Sequence, residues 1–249
     1  KVNSLHIVFR INSGGGSALA SENIWRELTL ARKEKPVVLS FGDVSASGGY
    51  YLSCNADSIF AQPNTITGSI GVFSMLPNMQ KFFNNKLGVT FDGVKTSPDA
   101  DAMAIYKPLT ESQRRWLQKD VDSIYYTFTS RVAEGRKKDR LFIDSIGQGR
   151  VWSGTRGIAL GLVDRIGGLQ QAIDCAARMA KTNDYKLREY PEPENFLNKI
   201  LGGVQQNSAK AAIEKELGPD GVKTYQAIKR IKQMAGVTQT RVPFEFTIE

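Results

Sequence analysis

Two glycine-rich turns, each following an apolar run, most constrain how this chain can fold. The run Leu5–Ile11 leads into Asn12–Ser17, and the run Val37–Phe41 leads towards Ser47-Gly48-Gly49. Between the two runs, apolar residues recur at helical spacing, at Ile24, Leu28 and Ala31. Each run has the length and apolar content of a buried strand. A strand, a helix and a second strand in this order predict a parallel sheet with a right-handed connection.

Local signals place the ends of these elements and predict two more strands. Ser17 is a suitable N-cap for the first helix, and Pro36 ends that helix. Further short strands are predicted at Ser58–Ala61 and Gly71–Phe73, because each is a short apolar run. The polar residues of Asn64–Gly68 are predicted to form a turn between them.

A long helix is predicted after Pro108. Thr110 and Gln113 have the spacing of a capping box, which marks the first turn of a helix. Apolar residues then recur on one helical face up to a stop at Gly135, at Leu117, Val121, Ile124, Phe128 and Val132. A stripe of this kind packs against a core.

The remaining sequence divides the chain into a main domain and an extension. A short strand is predicted at Gly161–Asp164 and a helix at Leu169–Ala180, and residues 194–236 have a broken helical pattern. Arg241–Glu249 alternates apolar and polar residues, and its Pro243 favours an edge position in a sheet. We expect a main domain over residues 1–180 and a C-terminal helical extension over residues 181–249 that ends in an edge strand.

Composition narrows the classes of function. The chain of 249 residues has a formal net charge of +8 but no motif for binding nucleic acid, so the charge indicates solubility and no nucleic-acid partner is expected. Cys54 and Cys175 lack the spacing of metal ligands, so no metal and no cofactor are expected. No run approaches the roughly 20 apolar residues of a membrane span. Because a strand begins almost at residue 1, we expect the chain to be a fragment or a processed product.

The glycine turns can support acyl-transfer chemistry. A serine nucleophile needs a base to take its proton and amide donors to stabilise the oxyanion. His6 is the one histidine of the sequence and lies within an apolar run, which favours a core role over a catalytic one. A lysine base remains, with a pKa that burial must lower from about 10.4. Either turn alone is more often only a turn, but together they bring amides and a hydroxyl to one edge of the sheet.

Four motifs, in order, resemble the signal peptide peptidase A (protease IV) family. They are Ile11-Asn12-Ser13-Gly14-Gly15-Gly16-Ser17, Val44-Ser45-Ala46-Ser47-Gly48-Gly49-Tyr50-Tyr51, Thr67-Gly68-Ser69-Ile70-Gly71-Val72-Phe73, and Gly149-Arg150-Val151-Trp152-Ser153-Gly154 with Gly161-Leu162-Val163-Asp164. The resemblance implies an α/β fold of the crotonase and Clp protease type, with a repeated ββα core and a C-terminal helical extension. It also implies a serine peptidase with a Ser/Lys dyad that degrades cleaved signal peptides.

The resemblance assigns roles to individual residues. It implies that Ser47 is the nucleophile and that Ser45 is a bystander. The amides of Gly15 and Gly48 match the oxyanion hole, and Ser69 matches a serine that orients the lysine base. The implied location is the extracytoplasmic side of a bacterial cytoplasmic membrane, with a membrane anchor outside these residues.

The chain departs from the family pattern at two positions. Gly14 stands where a proline is usual, and Ala100 stands where the base lysine of single-domain relatives would be. Lys95 and Lys107 flank that position. In tandem-domain relatives the serine lies in the C-terminal half and the lysine in the N-terminal half. We therefore expect this chain to be the serine-bearing half, inactive alone, with a lysine from an N-terminal half of the same protein and a homo-oligomer, a tetramer of tandem domains.

Three further expectations remain open at this stage. An apolar groove for signal peptides would be lined by Tyr50, Phe73 and Met75, although core packing is the simpler interpretation of these side chains. A crotonase-type enzyme acting on acyl-CoA would use the same oxyanion hole without a serine nucleophile. A scaffold half without catalytic activity would account for Ala100.

Overall fold

The computed structural model describes residues 6–191, 225–229 and 231–242. The chain divides into two compact units, one of residues 1–183 with 236–249 and one of residues 184–235. In the second unit, residues 225–229 and 231–234 are helical, and most of the helical region predicted for residues 194–236 lies outside the described residues. The predicted terminal strand is described only as far as Val242, and it belongs to the first unit.

The described elements of the first unit alternate between short strands and helices. The strands are β1 (Ile7–Ser13), β2 (Gly15–Ser17), β3 (Val37–Ala46), β4 (Ser58–Ala61), β5 (Ile66–Gly68), β6 (Val151–Ser153), β7 (Arg165–Ile166) and β8 (Gln239–Arg241). The helices are α1 (Ala18–Glu34), α2 (Gly48–Tyr51), α3 (Gln80–Phe82), α4 (Glu111–Arg136), α5 (Arg140–Ile146), α6 (Gly154–Ala159) and α7 (Leu169–Met179), with a π-helical turn at Phe83–Leu87.

The main sheet is mixed and has β3 at its centre. Strands β1, β4 and β5 pair with β3 in parallel, and β7 continues the parallel pairing beyond β4. Strand β6 pairs with β5 antiparallel, and β2 and β8 form a separate antiparallel pair. The predicted α/β class with a parallel sheet is therefore confirmed.

The first predicted strand lies at an edge, contrary to the sequence prediction. Nine of the ten positions of β3 are buried, as a central strand requires, but in β1 only Ile11 is buried. Phe9 of β1 is 37% exposed, because β1 pairs with β3 and with no other described strand. An apolar run alone does not distinguish an edge strand from a central one, so the prediction of a buried strand at Leu5–Ile11 was wrong.

Three other local predictions are corrected. Ile66–Gly68 is strand β5 and not part of a turn, and the Thr67 hydroxyl donates to the Ser45 carbonyl of β3 at 2.8 Å. Gly71–Phe73 is not a strand, since only Phe73 forms an isolated bridge, to Gln239. Gly161–Asp164 is a turn that precedes the short strand β7. Strands of two or three residues carry too little periodicity to be recognised from sequence.

Helix predictions agree better with the structure. The Ser17 side chain caps α1 by accepting from the Ala20 amide, and Thr110 and Gln113 form the predicted capping box of α4. Helix α4 continues through Gly135 to Arg136 and ends with Lys137 in the left-handed conformation. Within the described part of the chain, no helix has the length and apolar character needed to cross a bilayer.

Candidate active site

Three loops meet at one edge of the sheet because β1, β3 and β5 are neighbours. Ser13 at the end of β1 is in register with Ser45 of β3, and Ala46 is in register with Gly68 at the end of β5. The carboxyl ends of parallel strands are the usual place for a functional site in open α/β sheets. The glycine turn after β1 and the residue after β3 therefore converge, as the sequence predicted, and the residue after β5 lies at the same edge.

Ser47 lies in a strained turn between β3 and α2. Its backbone has φ 53° and ψ −116°, a combination that is nearly confined to glycine. The Ser47 amide donates to the Gly68 carbonyl at 2.8 Å, and the Ser47 carbonyl accepts from the Tyr51 amide at 2.7 Å. Strain of this kind costs about 1 to 3 kcal/mol and persists where the surroundings enforce it, which is often at functional sites.

The Ser47 hydroxyl is also unsatisfied. Its oxygen is buried and has no hydrogen-bond partner among the described residues. The Ser45 hydroxyl shares this property, but Ser45 lies within β3 and its φ is not positive, so its backbone has no such strain. A buried hydroxyl without a partner costs about 1 to 3 kcal/mol. Strain and an unpaired hydroxyl coincide only at Ser47 of these two serines.

The two predicted oxyanion glycines pack directly against each other. Gly15 has φ +97°, and a Cβ placed on it would lie 2.7 Å from the Gly48 amide nitrogen. A Cβ on Gly48 would lie 2.5 Å from the Ser21 hydroxyl oxygen. Neither position can hold a larger residue without displacing its neighbours, so the two glycines are required by close approach.

The Gly15 amide already has an acceptor. It donates to the Ser13 hydroxyl oxygen at 3.2 Å, whereas the Gly48 amide is at the first position of α2, where the helix supplies no acceptor. A substrate oxygen must therefore displace the Ser13 hydroxyl from the Gly15 amide. The sequence prediction missed Ser13, although a serine two residues before a turn amide is a known capping pattern.

Ser69 lies beside a cavity of about 400 Å³. Its backbone also has a positive φ, 49°, and its amide donates to the Arg150 carbonyl at 2.7 Å. The residues that line the cavity with Ser69 include Phe73, Gln118, Asp122, Tyr125 and Arg241. Ser47 is not among the lining residues.

The predicted substrate-binding side chains have different surroundings. Tyr50 is fully buried in the core, and its hydroxyl donates to the Leu162 carbonyl at 2.9 Å. It packs edge to face with Phe41 at a centroid distance of 6.4 Å, so the simpler core interpretation holds and no binding role is retained for it. Phe73 lines the cavity beside Ser69. Met75 is half-buried and accepts through its carbonyl from the Gly236 amide at 3.2 Å.

A polar network behind α2 holds the site in place. The Tyr51 hydroxyl donates to a Glu22 carboxylate oxygen, and the Arg131 guanidinium pairs with the same carboxylate at 2.9 Å. Arg131 also stacks 3.9 Å above the Trp25 ring. Burial, together with the bond to Glu22, raises the pKa of Tyr51, so the phenol stays neutral. No local sequence pattern signals this network, because its members come from three separate helices.

The lysines near the predicted base position are paired with a carboxylate. Lys95 lies 3.1 Å from Asp101, and Lys107 also forms an ion pair with Asp101. The hydrogen bond to Asp101 raises the pKa of Lys95, while the hydrogen bond from Lys107 contributes most to lowering the pKa of Asp101 to about 2. A general base needs a lowered lysine pKa, so Lys95 is tuned in the wrong direction. Ala100, at the position of the base lysine in single-domain relatives, has no ionisable side chain.

The sequence of this chain is similar to known peptidases. Residues 29–183 match the model of peptidase family S49. The chain is 41% identical over 199 residues to Protease 4 of Salmonella typhi, covering 80% of this chain and 32% of that protein. It is 35% identical over 201 residues to the chloroplastic serine protease SPPA of Arabidopsis thaliana, covering 79% of this chain and 30% of that protein. The chain thus spans about a third of the length of these relatives.

A solved structure, a point mutant of ClpP1 from Listeria monocytogenes, superposes with a TM-score of 0.45 at 17% identity, covering 68% of this chain and 78% of that chain.

Among the residues that the structure describes, no group of histidine, cysteine and acidic side chains has the arrangement of a metal site.

Proposed function

The chain belongs to peptidase family S49, and on that premise we propose that it carries the nucleophile of a serine peptidase, with the Ser47 hydroxyl attacking the peptide carbonyl. The observation that carries this proposal is the coincidence of a strained backbone with a buried, unpaired hydroxyl at Ser47. Strained strand-to-helix turns present nucleophilic serines in other hydrolases. The serine protease from Arabidopsis thaliana supports the same class of nucleophile.

Two amides would stabilise the tetrahedral intermediate. When Ser47 Oγ bonds to the carbonyl carbon, negative charge develops on the carbonyl oxygen, and the Gly15 and Gly48 amides donate to it. Ser13 releases the Gly15 amide at this step, because both oxygens compete for one hydrogen. Loss of one such donor typically costs about 3 to 4 kcal/mol in the transition state.

The general base in this proposal is a neutral lysine amine from outside these 249 residues. It takes the Ser47 proton, returns it to the leaving amine, and is oriented by Ser69. The cavity beside Ser69 offers space for an incoming side chain, and the salt-bridged state of Lys95 and Lys107 supports a base from elsewhere. We place this lysine in an N-terminal half of the same protein, within a homo-oligomer that is a tetramer of tandem domains.

The proposed substrates are cleaved signal peptides, which have an apolar middle segment. The four family motifs support this substrate class, and they support a location on the extracytoplasmic side of a bacterial cytoplasmic membrane. Degradation of an apolar signal-peptide segment, compared with a polar peptide of equal length, tests the substrate class. Equal rates for the two peptides would contradict it.

A serine-reactive fluorophosphonate tests the nucleophile. The full-length protein should be labelled at Ser47, the isolated 249-residue chain should be labelled far more slowly, and Ser47→Ala should abolish both labelling and peptide cleavage. Ser45→Ala is the matched control, because Ser45 is equally buried but its backbone does not have a positive φ. The Ser45→Ala protein should be labelled at the same rate as the unsubstituted protein.

Other results would indicate the other interpretations. Absence of labelling in both preparations would indicate a scaffold half. Retention of CoA together with an unreactive Ser47 would indicate an acyl-CoA enzyme. Undiminished cleavage by the Ser47→Ala protein would exclude Ser47 as the nucleophile.

A further inference from the structure

The C-terminal strand β8 holds the loop that contains Gly15. It lies beyond the residues 29–183 that match the family model. Strand β8 pairs with all three residues of β2, with Gly15 opposite Arg241 and Gly16 opposite Thr240. The pairing extends at both ends, since the Val242 amide donates to the Gly14 carbonyl at 2.9 Å and the Ala18 amide donates to the Thr238 carbonyl at 3.2 Å.

The other side of β8 contacts the segment that follows Ser69. The Phe73 amide donates to the Gln239 carbonyl at 3.0 Å, and the Gln239 amide donates to the Phe73 carbonyl at 2.8 Å. The Gly236 amide donates to the Met75 carbonyl at 3.2 Å. Strand β8 therefore connects two of the three loops that converge at the candidate active site.

Thr240 is the residue of β8 that touches both proposed oxyanion glycines. It is fully buried. A Cβ on Gly15 would lie 2.0 Å from the Thr240 carbonyl oxygen, and a Cβ on Gly48 would lie 2.8 Å from the Thr240 hydroxyl oxygen and 2.9 Å from its carbonyl oxygen. The hydroxyl oxygen is also 3.5 Å from the Ser21 hydroxyl oxygen and 3.4 Å from the Gly16 carbonyl oxygen. One buried residue thus sets how closely Gly15 and Gly48 approach.

We propose that Thr240 is a positioning residue that fixes the separation of the two oxyanion amides. It does not touch the substrate, and it acts through the Cα atoms of Gly15 and Gly48. An oxyanion hole works because its donors are held in place before the reaction, and misplacement by 1 Å can cost about 100-fold in rate. This inference rests on the proposed peptidase function.

Three variants of the full-length protein test the proposal. Thr240→Ala removes the hydroxyl that packs against Gly48, and should lower kcat by roughly 10- to 100-fold with little change in KM. The rate of fluorophosphonate labelling at Ser47 should fall in parallel. Thr240→Ser keeps the hydroxyl and should restore most of kcat. Thr238→Ala is the control, because Thr238 precedes the same strand but its exposed hydroxyl bonds to Asp120.

The outcomes separate positioning from general stability. A lower melting temperature with unchanged kcat in Thr240→Ala would overturn the proposal, and so would a rise in KM alone. If Thr240→Ala does not fold, Thr240→Val keeps the size of the side chain, removes only the hydroxyl that packs on Gly48, and should lower kcat in the same way, whereas unchanged kcat would overturn the proposal. Retained activity in Ser47→Ala would instead remove the peptidase proposal itself, so the two failures are distinguishable.

Discussion

The sheet edge around Ser47 and the segment of residues 88–107 differ in burial and in charge pairing, although the pattern of single-domain relatives would place the nucleophile in the first and its base in the second. At the sheet edge, Ser47, Gly48 and Ser69 are buried, and a Cβ on Gly48 would collide with Ser21 and Thr240. Residues 88–100 are all exposed, and the side chain of Val94 is completely open to solvent.

The difference bears on which half of the proposed dyad this chain would supply. A nucleophile and its oxyanion donors need a rigid, dry setting, and the sheet edge provides one. A lysine base needs burial that lowers its pKa, whereas Lys95 is in contact with water and its pKa is raised by Asp101. Residues 88–100 are therefore exposed surface, which supports the proposal that the base comes from outside this chain.

The largest expected effect concerns the glycine contacts that define the sheet edge. Gly48→Ala should lower kcat/KM by at least about 100-fold, because the new methyl collides with the Ser21 and Thr240 side chains and displaces an oxyanion donor. Gly16→Ala is the matched control, since no atom lies within 4 Å of a Cβ at that position. Peptide cleavage by the full-length protein provides the measurement.

A Gly48→Ala variant as active as Gly16→Ala would contradict the functional importance of the packing around Gly48. It would mean that the tight packing of the sheet edge has no catalytic consequence. The melting temperature of each variant, measured alongside, distinguishes loss of the fold from loss of the donor.

The second prediction concerns the segment of residues 88–107. Lys95→Met and Lys107→Met should each change kcat/KM by no more than about twofold, because both lysines pair with Asp101 and not with Ser47, and partly exposed ion pairs contribute at most about 1 kcal/mol to stability. The same peptide assay, on the full-length protein, measures this. A loss as large as that expected for Ser47→Ala would place the general base within this chain and would remove the need for an outside lysine.

Sequence periodicity and capping predicted the helices α1, α4 and α7 and the central strand, because these elements are long enough to show their pattern. The four motifs also located Ser47, Gly15, Gly48 and Ser69 on loops that the structure brings to one edge. Strand β5 was missed because three residues carry no periodicity. Strand β1 was predicted as buried because its sequence is apolar, and sequence alone does not show that it pairs with a strand on one side only.

Contacts between distant parts of the chain could not be predicted. The approach of Thr240 to Gly15 and Gly48 joins residues far apart in sequence, and no local pattern specifies it. The bond between Ser13 and Gly15 is local and could have been recognised from the serine that precedes the glycines. The pairing of Lys95 and Lys107 with Asp101 depends on the path of an irregular segment, which sequence patterns do not specify.

The smallest expected effect is a response to acid at Asp101, which is half-buried and also accepts from the Gln113 side chain of α4 at 3.1 Å. The hydrogen bond from Lys107, together with Lys95, lowers the pKa of Asp101 from 3.8 to about 2. A carboxyl group with a lowered folded-state pKa stabilises the fold above its unfolded pKa, and this contribution is lost as the pH falls through the folded pKa. The pairing should therefore persist at pH 4 and disappear as the pH approaches about 2.

Titration of the Asp101 carboxyl carbon by NMR measures this midpoint directly. Lys107→Met should move the midpoint upward more than Lys95→Met does, because the bond from Lys107 contributes most to lowering this pKa. The environment of Ser47 should not change over the same range, since the residues that contact its backbone carry no carboxyl group. An unshifted midpoint in both variants would mean that the lysines are not held by Asp101 in solution, and the exposed segment would then be free to offer a base to Ser47.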